Sequence, residues 1–400
     1  MKYIVLVPDG MCDHPIEELD KRTPLEVAHT ENMDFIAKNG QVVQVKTIPD
    51  RMSPASDVAN LSILGYDPII YYTGRGPLEA ANLGIELMSD DVAFRCNLVT
   101  VAKDKMIDYS AGHISSKEAE IIIRFIDEKL GSASIKFYPG VSYRHLMVIK
   151  NNAENDYSKV SCTPPHDIID KNISNYLPEG SGAVTLHSLM SASKDLLMKH
   201  EINQVRIDLK ENPANMIWLW GQGKKPNIPS FKEKFGVTGA VISAVDLIKG
   251  MARLMGLEAI NVPGATGYYD TNYEGKAKHA IAALKEKDFV FIHVEATDEA
   301  GHNADLRMKI ACIERFDREI VGRILDNFRD SKDVRIMVIP DHATPISIRT
   351  HTSEPVCCAI YGKDIAADSA QVLNEKQAEA SSLKFDSGHQ LMEYFIKGKK

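Results

Sequence analysis

Asp298 and His302 stand four residues apart in Thr297-Asp298-Glu299-Ala300-Gly301-His302, so on a helical turn both side chains point to one face. That is the spacing of two ligands on one metal ion. Taken alone, the pair also reads as a helix-capping aspartate followed by a surface histidine. Asp341 and His342 come directly after the apolar run 335–339, and His351 follows nine residues later. Asp9 closes the apolar run 3–7 in the same way. Three strand ends would thus bring three aspartates and three histidines to one edge, more negative charge than an empty crevice tolerates without cations. Mixed carboxylate and imidazole donors suit zinc or manganese, and two divalent ions would satisfy the set.

A two-metal site stabilises the attacking and leaving oxygens of a phosphoryl displacement and can activate a hydroxyl nucleophile at neutral pH. A serine is therefore expected close by. Ser53-Pro54-Ala55-Ser56-Asp57-Val58-Ala59-Asn60 is a loop of small and capping residues running into an apolar helix at 61–64. Ser56 then sits at a helix amino terminus, where backbone N–H groups favour an anion. An ordinary capping serine is the plainer reading, and Ser53 competes for the role.

The elements that must position these residues follow from hydrophobic pattern. The runs 3–7, 289–294 and 335–339 are short, continuous and rich in β-branched residues, as strands buried on both faces are, while 306–328 has helical spacing. This predicts an α/β fold with a doubly wound, mostly parallel sheet, in which ligands bind beyond the carboxyl ends of the strands. At 400 residues the chain should hold two or three folding units. Residues 85–206 carry strands at 93–101, 145–149 and 183–186 and a helix at 117–129, and form a candidate inserted α+β domain. Residues 1–84 and 207–400 would form the metal-binding domain, with a loop at 224–235 and a strand then a helix in 236–257.

With these residues in view, the chain resembles the archaeal-type branch of the cofactor-independent phosphoglycerate mutases in the alkaline phosphatase superfamily. The resemblance spans nearly the whole length. It rests on Val7-Pro8-Asp9-Gly10, on the run from Ser56 through Leu64-Gly65-Tyr66-Asp67-Pro68, and on Thr73-Gly74-Arg75-Gly76-Pro77-Leu78-Glu79. Ala265-Thr266-Gly267, Asp270-Thr271-Asn272, Ala296-Thr297-Asp298-Glu299-Ala300-Gly301-His302 and Asp341-His342-Ala343-Thr344-Pro345 extend it to His351. It implies an alkaline-phosphatase-like domain with an inserted substrate and lid domain, two divalent metals (Mn, Zn, Co or Mg) and a phosphoserine intermediate. One metal would be held by Asp9, Ser56, Asp341 and His342, the other by Asp298, His302 and His351. Ser56 would take the phosphoryl group from one position of a phosphoglycerate and return it to the other, interconverting 3-phosphoglycerate and 2-phosphoglycerate.

Three segments depart from the family pattern. His113 in Tyr109-Ser110-Ala111-Gly112-His113-Ile114 stands where an arginine is usual, Trp218 and Trp220 precede Gly221 where an arginine is expected, and Thr163-Pro164-Pro165-His166 replaces Asp-Pro-His. Arginines clamp carboxylate and phosphate in a bidentate way, so Arg75, Arg144 and Lys249, with His113, become the candidate substrate cations. The two tryptophans read as the aromatic core of a strand, with stacking of Trp220 on substrate or nucleotide as the sharper idea. The chain is also similar to a bacterial subgroup proposed as homoserine kinases of threonine synthesis, although no P-loop pattern is present. A phosphatase is the third reading.

Composition removes other classes. The net charge of −8 and the absence of a basic stripe argue against nucleic acid, and the family resemblance implies a small phosphorylated metabolite as partner. No apolar stretch approaches the roughly 18 residues of a membrane helix, and residues 1–10 read as a first strand. Six cysteines without Cys-x-x-Cys spacing fit a cytoplasmic protein.

Overall fold

The structure, a computed structural model, describes residues 1–398. Its strands in chain order are β1 Lys2–Pro8, β2 Gln41–Val45, β3 Asp91–Ala102, β4 Lys105–Asp108, β5 Ile135–Val141, β6 Arg144–Lys150 and β7 Met216–Lys224, then β8 Gly239–Ile242, β9 Glu258–Ile260, β10 Phe289–Val294, β11 Val334–Val338, β12 Val356–Gly362 and β13 Lys384–Phe385. They fall into two compact units, the first comprising Met1–Tyr72 with Ile228–Lys400 and the second Thr73–Asn227.

In the first unit eight strands form one sheet in the order β13-β2-β12-β11-β1-β10-β8-β9. From β11 to β9 every pairing is parallel, and β12 and β2 add antiparallel neighbours. Residues 3–8, 289–294 and 334–338 are buried without alternation, which requires cover on both faces, as the doubly wound reading expects. The strand order puts β1 between β11 and β10, with Pro8 opposite Val294 and Leu6 opposite Val338. Their carboxyl ends therefore open side by side, about 5 Å apart. Helical spacing over 306–328 appears as Leu306–Phe316 and Gly322–Phe328, joined without a break by a π-helical turn at Asp317–Val321.

The second unit is built on a five-stranded sheet in which β3 pairs β4, β6 and β7, and β5 pairs β6, all antiparallel. The helix Ser116–Leu130 buries Ala119, Ile122, Ile123 and Ile126, and opens with a Ser115–Glu118 capping box. The division differs from the expected 85–206. Arg75–Asn82 packs on β3 and β7, and β7 pairs along β3 from Val92 to Val99, so the insert widens to 73–227.

Two local expectations are corrected. Residues 183–186 are not a strand but the first turn of the helix Ala183–Leu197, whose buried residues Ala183, Leu186, Leu189, Met190, Ser193 and Leu197 keep the helical period. Within the expected loop 224–235, Phe231–Phe235 is a short helix closed by Gly236 at φ 77°. Trp218 is fully buried in β7, in agreement with the core reading. Among the described residues, no helix is long and apolar enough to cross a membrane.

Candidate active site

Each strand end of the first unit delivers its polar residues within one or two turns of chain. Asp9 follows β1. Gly10 comes next at φ 62°, where a Cβ would lie 2.5 Å from Thr344 Oγ1 and 2.8 Å from the Asp298 Cα, so only glycine lets the loop pass. Asp298 and His302 lie on the helix Ala296–His302 that follows β10, and Asp341 and His342 follow β11. An isolated bridge from Ala343 to Thr352 folds the chain back and returns His351 to the same edge. Ser56 is the first residue of the helix Ser56–Ile63, entered through an extended Ala55, and Ser53 is exposed.

All seven residues expected to bind metal converge here. His302 Nε2 lies 3.2 Å from Asp298 Oδ2, His351 Nε2 lies 3.4 Å from Asp298 Oδ1, and the two ring nitrogens are 2.9 Å apart. His342 Nε2 is 3.1 Å from Ser56 Oγ, 3.4 Å from Asp9 Oδ1 and 3.6 Å from Asp341 Oδ2. Donor atoms that share one ion at about 2.1 Å stand roughly 3–4 Å from each other. The separations among Asp298, His302 and His351 come near that condition, as do those from His342 to Ser56, Asp9 and Asp341. His342 borders both, because its ring stacks on His351 at 4.0 Å and it also groups with Asp298 and His351.

The histidine tautomers suit ligation. His302 Nδ1 donates to the Arg349 carbonyl at 3.0 Å, and His342 Nδ1 faces Thr344 Oγ1 at 3.2 Å while that hydroxyl donates to Asp298. With Nδ1 so occupied, Nε2 is the nitrogen left on each ring to take a cation, the arrangement that fixes metal-binding histidines. Burial pushes the Asp9 carboxyl well above its usual range, and the neighbouring Asp341 and Asp298 charges add to the rise. The Asp298 carboxylate raises His302 to about 9. Asp9 Oδ1 is buried with no hydrogen-bond partner among the described residues. An orphaned carboxylate oxygen beside two more aspartates fits a divalent cation.

The sequence reading missed the layer behind these ligands. His293, next to the carboxyl end of the buried β10, places Nε2 3.3 Å from Asp9 Oδ2 and Nδ1 3.4 Å from Glu295 Oε1. Lys276, fully buried, donates to Glu295 Oε2 and to the His293 carbonyl, both at 2.9 Å. Asn60 donates to Asp341 Oδ2 at 2.8 Å. A histidine inside an apolar strand five residues before Asp298 was a usable signal; a lysine in a helix was not.

The candidate substrate cations divide between the units. Lys249, in the first, pairs with Asp246 at 3.1 Å on its own helix. Arg75, His113 and Arg144 belong to the second, where Arg75 lies 5.8 Å from the Trp220 ring, and Arg144 and His113 lie 5.4 Å and 6.2 Å from the Tyr143 ring. Arg95, not foreseen, is buried with its guanidinium 4.3 Å over Trp220 and 2.9 Å from Glu79. Trp220 also donates to Asn97 at 3.0 Å, so its face and its N–H are both engaged within the unit.

The sequence model of the 2,3-bisphosphoglycerate-independent phosphoglycerate mutase family matches residues 37–203. A protein of that name from Methanosarcina barkeri is 50% identical over 100% of this chain and 100% of its own length. The chain belongs to the 2,3-bisphosphoglycerate-independent phosphoglycerate mutases. It is an isomerase that interconverts phosphoglycerates. A relative named a probable mutase of this family, from Geobacter sulfurreducens, is 47% identical over 99% of this chain and 100% of its own. Among solved structures, a Pyrococcus horikoshii protein matches with TM-score 0.84 at 33% identity, covering 100% and 98% of the two chains. The cofactor-independent phosphoglycerate mutase of Thermoplasma acidophilum matches with TM-score 0.68 at 27% identity over 99% of each.

Proposed function

We propose that this mutase works through Ser56, with two divalent cations held by Asp9, Ser56, Asp341 and His342 on one side and by Asp298, His302 and His351 on the other. The observation that carries the reading is the Ser56 hydroxyl, 3.1 Å from His342 Nε2 at the start of a helix. When bound, the cations supply charge stabilisation for the transferring phosphoryl group and acidify the serine hydroxyl. Ser56 Oγ attacks the phosphorus of 3-phosphoglycerate, the bond from phosphorus to the C3 oxygen breaks, and the proton leaving Oγ balances the one taken up by that oxygen. After the glycerate turns, its C2 hydroxyl oxygen attacks the phosphorus, the bond from phosphorus to Oγ breaks, and the proton leaving the C2 hydroxyl balances the one Oγ regains. The amino terminus of the helix Ser56–Ile63 favours negative charge at the phosphoryl group.

Arg75 and Arg144, together with Arg95, give the second unit the positive charge that the carboxylate and phosphate of the substrate require, with His113 as a further candidate contact. Lys249 is the remaining candidate, held near Asp246. The six cysteines are free thiols, which suits a reducing cytoplasm.

A ³¹P NMR time course of Mn²⁺-loaded protein with 3-phosphoglycerate tests the reading, beside a tube of ATP and L-homoserine. A growing 2-phosphoglycerate resonance is expected in the first and no O-phosphohomoserine in the second. Inorganic phosphate as the main product would mark a phosphatase instead. Acid-quenched protein should carry phosphate on the Ser56 peptide; a second phosphorylated site with Ser56 unmodified would defeat the mechanism.

A further inference from the structure

His293 is a fully buried histidine that the mechanism above does not use. Its two nitrogens face opposite ways. Nε2 meets Asp9 Oδ2 at 3.3 Å and lies 3.8 Å from Asp341 Oδ2, while Nδ1 meets Glu295 Oε1 at 3.4 Å and Ser243 Oγ at 3.5 Å. Glu295 is itself locked. Its Oε1 accepts from Ser243 Oγ at 2.9 Å and from the Ala244 and Val245 backbone N–H groups at 3.0 and 3.2 Å, and its Oε2 accepts from Lys276 Nζ. Lys276 also grips the His293 carbonyl, so side chain and strand are fixed together.

The consequence falls on Asp9. His293 Nε2 thus backs the Oδ2 side of the carboxylate, while Oδ1 is the buried oxygen without a hydrogen-bond partner among the described residues, 3.4 Å from His342 Nε2. The Asp298 set is backed by other groups, the Thr344 hydroxyl that donates to Asp298 and the Arg349 carbonyl that accepts from His302 Nδ1. We infer that His293, held from behind by Glu295 and Lys276, is the positioning residue that presents Asp9 and Asp341 to one of the two cations. The inference rests on the two-cation reading. Partners of this kind behind a ligand are worth about tenfold to a hundredfold in metal affinity.

The test is a chelator-competition titration of Mn²⁺ on the full chain, with the visible spectrum of the Co²⁺ form recorded in parallel. Wild type should bind two ions; binding of fewer would defeat the two-cation reading itself. In His293→Ala and in the isosteric Glu295→Gln, one ion should weaken about tenfold to a hundredfold and one Co²⁺ component should change, while the other ion keeps its affinity. kcat should fall with KM little changed, and His293→Gln, which keeps an N–H toward Asp9, should recover affinity that His293→Ala loses. Two ions bound as in wild type by both variants would overturn the inference, and so would equal weakening of both ions. If His293→Ala fails to fold, Glu295→Gln carries the test, because it replaces one oxygen with a nitrogen of the same size.

Discussion

Many helices begin with a serine; Ser56 is set apart by the imidazole beside it. His342 is pushed below its ordinary pKa by burial, and its Nδ1 is occupied by Thr344, so a neutral Nε2 lies 3.1 Å from the hydroxyl, as a second ligand of one cation would. Ser56→Ala should therefore leave the fold and the Asp298 cation in place and reduce kcat by about a thousandfold or more, as loss of a nucleophile does. Single-turnover kinetics decide it, and activity within tenfold of wild type would remove Ser56 from the pathway. The residue scale also holds a site unrelated to catalysis. His145 in the second unit accepts from the Gly140 N–H at 3.0 Å through Nδ1, its Nε2 has no partner among the described residues, and burial pushes it down to about 3. An unfolded histidine takes its proton near 6.5, so the folded state is fully favoured above that pH and loses stability as pH falls from 6.5 toward 3. Relative to His145→Gln, wild type should lose about 2–3 kcal/mol more between pH 7 and pH 4.5, read from urea midpoints. Parallel pH curves for the two proteins would contradict it.

At the scale of elements, what was legible in the sequence is what periodicity encodes. Strands β1, β10 and β11 show themselves as apolar runs, and each is followed by the acid that it delivers to the site, so fold class and the three aspartates and three histidines could be read together, while Ser56 as a ligand followed from the family resemblance. Val184-Thr185 misled because two β-branched residues dominate a short window, whereas the helical period of Leu186, Leu189, Met190 and Leu197 decides the longer one. β7 could be recognised as a strand, yet nothing in a single sequence reveals that it pairs β3, and the insert boundary follows from that pairing. Buried charge is hidden for the same reason. Lys309, on the helix Leu306–Phe316, is fully buried and donates to Asp13 at 2.7 Å, to the Thr344 carbonyl at 2.8 Å and to the Cys12 carbonyl at 3.3 Å. One side chain thereby joins the loop after Asp9 to the loop after His342. Lys309→Met strands the buried Asp13 carboxylate and should cost about 3–5 kcal/mol by urea denaturation, with Asp13→Asn on the same background recovering part of it. A loss below about 1 kcal/mol would mean that the pair is not what holds the two loops.

For the whole molecule, the net charge of −8 poses a question of recognition, because a phosphoglycerate is itself an anion. The positive charge it needs is local. Arg75, Arg95 and Arg144 belong to the second unit with the Trp220 and Tyr143 rings. The aspartates proposed to hold the cations belong to the first. The second unit also has a hydrophobic core of its own, running from Val92 and Phe94 through Ile122, Met147 and Leu186 to Trp218 and Trp220. A segment with its own core and its own sheet meets the requirements of an independent domain. Residues 73–227 expressed alone should accordingly melt in one cooperative transition by circular dichroism. They should bind 3-phosphoglycerate weakly, bind no Mn²⁺, and lose the metabolite as salt rises through the range where surface charges are screened. Arg75→Ala and Arg144→Ala should each weaken that binding without moving the melting point. A cooperative fragment indifferent to 3-phosphoglycerate would take recognition away from these arginines, leaving Lys249 in the first unit as the remaining candidate. A fragment that melts without cooperativity would show instead that the second unit depends on the first for its fold, whatever core it contains.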